Sequence, residues 1–257
     1  MPIMEQHRFR DLEARALRAG DGKPMLFLHG TAGLPVWSSF FDALAEKFAV
    51  RIPEHPGFGA SAAPDWIRNV ADMAMHYLDV IEALDLRGVH LVGHSLGGWL
   101  AAELAIRNTS RIATLTLIAP AGVRLQGVPF GDNFIWGPEE SVRNLFHDQS
   151  FADALLSREP TEEEADLALN SRFMAVRLGW EPRWVNPALK RWLHRIQVPT
   201  LVLWGDDDKI FPSSYASAWT DNLPNSRAEI IRSCGHLPHV EKPKETASHI
   251  LAFLEGK

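Results

Sequence analysis

The residues best suited to chemistry stand in the stretch 89–98, Val-His-Leu-Val-Gly-His-Ser-Leu-Gly-Gly. A short apolar run, too short for a helix, ends in Gly93-His94-Ser95-Leu96-Gly97, and a helical pattern begins at once with Trp99-Leu100-Ala101-Ala102-Glu103-Leu104-Ala105. Strand, tight turn and helix in that order leave Ser95 at the tip of a sharp bend, where only glycine at 93 and 97 lets neighbouring backbones pass. Ser95 is the candidate nucleophile. A serine hydroxyl is a weak nucleophile at neutral pH, so it needs a base to take its proton and a group to hold that base. With eleven histidines in the chain, position must choose among them. His236 follows the last strand-like run, and Gly235 before it permits a tight loop. His239 in the same loop is the competing base; His249 falls in a helical pattern, and His7, His76, His147 and His194 fall outside the strand-end loops. A carboxylate at another strand end should orient the imidazole, and Asp206, Asp207 and Asp208 all qualify by place.

The elements that must carry these residues follow from pattern. Residues 7–17 alternate weakly and predict one or two edge strands; strand-length apolar runs stand at 24–28, 50–52, 112–118, 200–204 and 228–231. Helical spacing covers 37–48, 66–86, 213–223 and 243–254. This alternation predicts an α/β fold with a mostly parallel, doubly wound sheet, whose loops at the carboxyl ends of the strands gather along one edge. Two such loops are dense in small residues and turn formers, 29–33 and 54–61, and the first exposes backbone N–H groups. From 123 to 197 the rhythm breaks: helical patterns at 139–156 and 162–178 take over, the second opened by Thr161 and Glu164 as a capping box. The expected organisation is a core of 1–122 and 198–257 with a helical cap, 123–197, inserted after the sixth strand. The insertion holds four of the nine tryptophans, Trp136, Trp180, Trp184 and Trp192. At least half should form the cap's own small core, with Trp136 and Trp180 the candidates to face a substrate.

Composition narrows the partners. A net charge of −6 without a basic run argues against nucleic acid or an anionic membrane and leaves a small molecule as the expected partner. Cys234 is the only cysteine, so no disulfide can form within the chain. Residues 1–20 lack the apolar core of a signal peptide, and no run approaches the length of a membrane span, which predicts a soluble cytoplasmic protein. No metal or other cofactor is expected, since no His or Cys pair stands at ligand spacing with a third partner and no Gly-rich nucleotide fingerprint occurs.

Taken together, the motifs resemble the α/β-hydrolase superfamily from about residue 24 to residue 254. The resemblance rests on His29-Gly30, Pro56-Gly57-Phe58-Gly59-Ala60-Ser61, the Gly93–Gly98 elbow, Gly205-Asp206-Asp207-Asp208 running to Pro212, and Gly235-His236, in chain order Ser, Asp, His. It implies that Asp208 is the acid, because the family's acid is the third residue after the glycine and four before the proline. It also implies an oxyanion hole from the backbone N–H groups of Thr31 and Leu96, and structural roles for His29 and His94. Glu54 stands where many members have Asp, and a packing or hydrogen-bond consequence is expected.

The activity so implied is that of a serine hydrolase working through an acyl-enzyme, on a small carboxylic ester with an apolar part. Serine at position 95 argues against the epoxide hydrolases and haloalkane dehalogenases, whose nucleophile is a carboxylate. Carbon–carbon bond hydrolases of dienoic diketones are the second reading; they commonly carry Asn before the nucleophile and Trp after the histidine, where this chain has His94 and Leu237. Arg172 or Arg177 would then hold the substrate carboxylate. Perhydrolase or acyltransferase activity would differ only in what attacks the acyl-enzyme. A catalytically slow ligand-binding receptor on the same fold is the reading from another class, and the complete triad argues against it.

Overall fold

Strands buried on both faces set the middle of the molecule. The computed structural model describes residues 1–9 and 12–255, with strands β1 (Ile3–Phe9), β2 (Leu12–Ala19), β3 (Lys23–Leu28), β4 (Phe48–Pro53), β5 (Val89–His94), β6 (Ile112–Ile118), β7 (Thr200–Gly205) and β8 (Ser226–Ile231). Every residue of β5 and β7 is buried, which explains why apolar residues dominate both. The sheet order is β1-β2-β4-β3-β5-β6-β7-β8. β1, β2 and β4 pair antiparallel, and the remaining neighbours run parallel. The edge strands expected within 7–17 are β1 and β2; positions 10 and 11 lie outside the described residues.

Helices α1 (Ser39–Ala45), α2 (Val70–Ala83) and α3 (Leu96–Arg107) lie among the first six strands. Then α4 (Pro138–Arg143), α5 (Gln149–Leu156), α6 (Glu162–Gly179) and α7 (Leu189–Trp192) stand between β6 and β7, and α8 (Tyr215–Thr220), α9 (Pro238–Glu241) and α10 (Pro243–Leu254) follow. One apolar cluster joins α2, α3 and α8 to the sheet through Tyr77, Leu100, Trp204 and Trp219; a second joins α1 and α10 through Phe27, Phe40, Phe41 and Phe253. Each large side chain so buried contributes about 1.5–3 kcal/mol. Among the described residues no helix is long and apolar enough to cross a membrane.

Several boundaries differ from the sequence expectation. The helix expected over 37–48 is only α1, because Phe48 opens β4; that over 66–86 starts at Val70, where Asn69 Oδ1 caps the Asp72 N–H. The single helix expected over 139–156 is two, broken at 144–148, with Asp148 capping α5. The capping box at Thr161 and Glu164 is present on α6. β8 begins two residues early, at Ser226, because an edge strand tolerates polar side chains.

Much of the buried surface between β6 and β7 joins the main core, while Phe146 and Ala152 are buried outside it, Phe146 stacked on Phe151. Met174, Ala175, Leu178 and Trp184 belong to the cluster that covers α2 and α3. Gly122 N–H donates to Trp184 O (2.8 Å) and Asn186 N–H to Gly122 O (2.9 Å), tying the end of the insertion to its start. α6 reaches the loop after β4, where Gly59 N–H donates to Ser171 Oγ (3.0 Å) and Asn170 Nδ2 to Gly59 O (3.1 Å).

Candidate active site

The turn at Ser95 is built by steric exclusion. Ser95 has φ +53° and ψ −115°, a conformation costing roughly 1–3 kcal/mol for a residue with a side chain. A Cβ at Gly93 would lie 2.2 Å from Gly97 O, and one at Gly97 would lie 2.0 Å from Leu28 O. The turn is held by Ser95 N–H on Ile118 O (2.9 Å), while Gly98, Trp99 and Ala121 N–H groups all donate to Ser95 O. Gly97→Ala must therefore push backbone apart. It is expected to cost about 3 kcal/mol or more, a fall in Tm of roughly 6–12 °C in a chain of this size. Gly137→Ala is the control, since a Cβ there meets nothing within 4 Å and should leave the thermal melt in place.

The ends of β5, β7 and β8 bring three side chains into one line. His236 Nε2 lies 2.9 Å from Ser95 Oγ, and His236 Nδ1 lies 2.8 Å from Asp208 Oδ2. Asp208 is buried and fully engaged: Oδ1 accepts from Ile210 N–H (2.8 Å) and Phe211 N–H (3.0 Å), and Oδ2 also accepts from Trp204 Nε1 (3.0 Å). The neighbouring aspartates are occupied elsewhere. Asp206 Oδ1 accepts from Cys234 N–H (3.2 Å), and Asp207, 42% exposed, pairs with His147 Nδ1 (2.9 Å). His239 packs on the rings of His94, Phe27 and Phe40; burial drives its pKa down to about 3. Its Nδ1 has no hydrogen-bond partner among the described residues. His94 Nε2 lies 2.9 Å from His236 O and must donate to it, and burial, with the neighbouring histidines, holds His94 well below the usual imidazole pKa.

Two backbone stretches lie next to Ser95, the first turn of α3 and the loop after β3. Leu96 opens α3, so its N–H has no acceptor within the helix's own ladder. Thr31 sits in the turn closed by Gly33 N–H on Gly30 O, and a Cβ built on Gly30 would lie 3.4 Å from Ser95 Cβ. A buried chain holds this turn. His55 N–H donates to His29 Nε2 (3.0 Å), so His29 carries its proton on Nδ1 and donates to Gly30 O (2.7 Å). His55 Nε2 in turn donates to His29 O (2.9 Å), which leaves its Nδ1 to accept from Tyr77 OH (2.6 Å). Burial lowers the His29 pKa to about 4, lowers that of His55 and raises that of Tyr77, so all three are neutral.

Glu54 shows the consequence of its extra methylene. Its carboxylate accepts from Ser61 Oγ (2.7 Å) and fills the space a Cβ at Gly59 would need, 2.2 Å from that position. Of the tryptophans, Trp184 is buried and stacks on Phe134 (4.7 Å, 7°), while Trp192 is exposed. Trp136 lies against Gly131, whose N–H donates to Ile210 O in the Asp208 loop. Trp180 is 47% exposed, its face covered by Arg183 at 3.9 Å and its edge met by Phe134. Among the described residues no three His, Cys, Asp or Glu side chains are grouped to hold a metal ion.

The profile of the alpha/beta hydrolase fold family matches residues 23–243. The chain belongs to the α/β-hydrolase family. This hydrolase is 29% identical to the 2-hydroxy-6-oxo-6-(2'-aminophenyl)hexa-2,4-dienoic acid hydrolase of Metapseudomonas resinovorans, over 96% of its own chain and 89% of that relative. It is 28% identical to the 2-hydroxymuconate semialdehyde hydrolase of Pseudomonas sp. (strain CF600), over 92% and 88%. A solved membrane phospholipase A, described as a bacterial virulence factor, superposes with a TM-score of 0.84 at 26% identity, covering 99% of this hydrolase and 86% of that chain. Sequence reasoning missed the partners of His55 and the role of Tyr77 in this hydrolase, because Tyr77 sits within an ordinary amphipathic helix pattern. It also missed Glu241, the one carboxylate between Pro238 and Pro243, because its partners at Gly235, His147 and Asp148 are set by tertiary structure.

Proposed function

We propose that this hydrolase cleaves small carboxylic esters with an apolar part, through an acyl-enzyme on Ser95. The observation that carries the reading is the unbroken line Ser95 Oγ, His236, Asp208, with spacings of 2.9 and 2.8 Å. Ser95 Oγ attacks the ester carbonyl as its proton passes to His236 Nε2, and the N–H groups of Leu96 and Thr31 receive the oxyanion. The imidazolium returns that proton to the leaving alcohol. Water, deprotonated by the same nitrogen, then attacks the acyl carbon and releases the acid and Ser95. Asp208 holds the imidazole with its Nδ1 protonated throughout.

Phe211 stands 5.8 Å from the His236 ring and Phe130 packs against it with the rings tilted (5.7 Å, 34°), apolar surroundings that suit an acyl chain. We assign 123–197 as a cap over this edge, on the contacts of α6 with the loop after β4, with Trp136 near the substrate through its place beside the Asp208 loop. The second reading, carbon–carbon bond hydrolysis, is favoured by the names of the two curated relatives; His94 and Leu237 in place of Asn and Trp weigh against it.

The deciding experiment treats the protein with a fluorophosphonate, then with p-nitrophenyl esters from acetyl to octanoyl and with a 2-hydroxy-6-oxohexa-2,4-dienoate. Mass added at Ser95 and ester turnover are expected. Cleavage of the dienoate without ester turnover would overturn the bond assignment, and absence of any adduct at Ser95 would overturn the mechanism in favour of a ligand-binding protein.

A further inference from the structure

We propose that Glu241 is a positioning residue that clamps the loop carrying His236 onto the helical insertion; this rests on the reading of His236 as the base. Glu241 ends the short helix α9 and is 8% exposed. Its Oε2 accepts from Gly235 N–H (2.6 Å), the residue before the base. Its Oε1 accepts from His147 N–H (3.0 Å) and Asp148 N–H (2.9 Å), which lie in the break between α4 and α5. One carboxylate thus bridges two loops that are 87 or more positions apart in sequence, Gly235 against Asp148 and His147. Every partner is a donor, so both oxygens must accept, which an amide in the same place cannot do.

The insertion grips the base from its other side as well. His236 N–H donates to Leu145 O (2.8 Å), and the base's own carbonyl receives His94 Nε2 (2.9 Å). Gly235 has no room for a side chain: a Cβ there would lie 2.5 Å from Leu145 O, 2.8 Å from His147 N and 2.9 Å from Glu241 Oε2. α9 itself is anchored, since Thr246 Oγ1 in α10 donates to Pro238 O (2.8 Å). The main chain of His236 is therefore held by β5 and by the 145–148 segment, and Glu241 is where the loop and the insertion share one charged acceptor. Losing it lets the loop and the segment part, which carries the imidazole off the Ser95–Asp208 line while leaving the substrate pocket in place.

The test compares wild type, Glu241→Gln and Glu241→Asp, with Ser95→Ala alongside, on a p-nitrophenyl ester. Rates are expressed per Ser95 titrated to completion by excess fluorophosphonate. Gln keeps the length and loses one acceptor; Asp keeps the charge and cannot span both loops. Since a displacement near 1 Å costs up to about 100-fold, kcat per titrated site should fall at least about 10-fold in both variants with KM changed less than about twofold. A carboxylate that only satisfies buried N–H groups would lower the melting temperature and the titratable fraction and leave kcat per site at the wild-type value, which would overturn the proposal. If neither variant folds, the wild type decides: the amides of Gly235, His147 and Asp148 should exchange with solvent at least about 100-fold slower than free loop amides. Exchange at free-loop rates would overturn the clamp. A wild type unlabelled at Ser95 would instead defeat the reading on which the clamp rests.

Discussion

Replacing Ser95 by Ala lowers ester turnover by about 10⁴-fold or more, and Asp208→Asn lowers kcat by about 10⁴-fold while Ser95 remains in place. The second loss follows from four donors converging on one carboxylate. Ile210 and Phe211 N–H groups meet Oδ1, and Trp204 Nε1 and His236 Nδ1 meet Oδ2. An asparagine must turn its NH₂ toward one pair. Facing His236, it donates to Nδ1, moves the imidazole proton to Nε2 and removes the lone pair that should accept from Ser95. Facing the two backbone N–H groups, it sets donors against donors in a buried site, at roughly 1–3 kcal/mol for each group left unpaired. Steady-state rates with matched circular dichroism check both variants. Retention of more than a tenth of the wild-type kcat in Asp208→Asn would show that the acid lies elsewhere.

Stability should fall on mild acidification. Burial pushes His29 to a pKa of about 4 and His239 to about 3, and holds His55 and His94 well below the usual range. In the unfolded chain each returns to about 6.5. Below that pH the unfolded state binds protons that the folded state refuses, so stability falls as pH falls. The contribution of each ring is intact above about pH 6.5 and erodes down to its folded value. Each depressed histidine adds a slope of up to about 1.4 kcal/mol per pH unit; His29 and His239 together add up to about 3 kcal/mol per unit down to about pH 4, and His55 and His94 act in the same direction. Against a total of about 5–15 kcal/mol, a loss of several kcal/mol by pH 5 is a large fraction of the whole. Urea unfolding at pH 7.5, 6.0 and 5.0 measures this directly. A change below about 1 kcal/mol from 7.5 to 5.0 would show that the rings are solvated or protonated in the native state.

Much of this architecture was legible because its signals are local. The elbow declares itself through Gly93 and Gly97, whose missing side chains answer to contacts a few residues or one strand away, and the runs of β5 and β7 are mostly apolar because both faces are covered. The stretch 37–48 misled because Phe40, Phe41, Leu44 and Phe48 share helical spacing, yet Phe48 belongs to the next strand and meets the same core from the sheet side. The break at 144–148 had no local signature. Val142, Leu145 and Phe146 continue a helical pattern, but Leu145 O and the N–H groups of His147 and Asp148 are taken by the His236 loop and Glu241, so the backbone leaves the helix for partners far along the chain. The choice among Asp206, Asp207 and Asp208 was likewise tertiary in origin, since only Asp208 turns inward to Trp204 and His236.

Ser95 and His236 stand 141 residues apart in sequence and arrive from opposite flanks of β6 and β7. Neither half of the reacting pair can be pre-assembled by a hairpin, a lone helix or any single βαβ unit. Their hydrogen bond closes only when every strand from β5 to β8 has taken its neighbour, so hydrolysis is a property of the finished sheet. Activity in this molecule therefore reports topology: a collapsed chain rich in native helix but with one crossover missing is chemically silent. Turnover recovered after dilution from denaturant counts completed folds, where circular dichroism would count mere secondary structure.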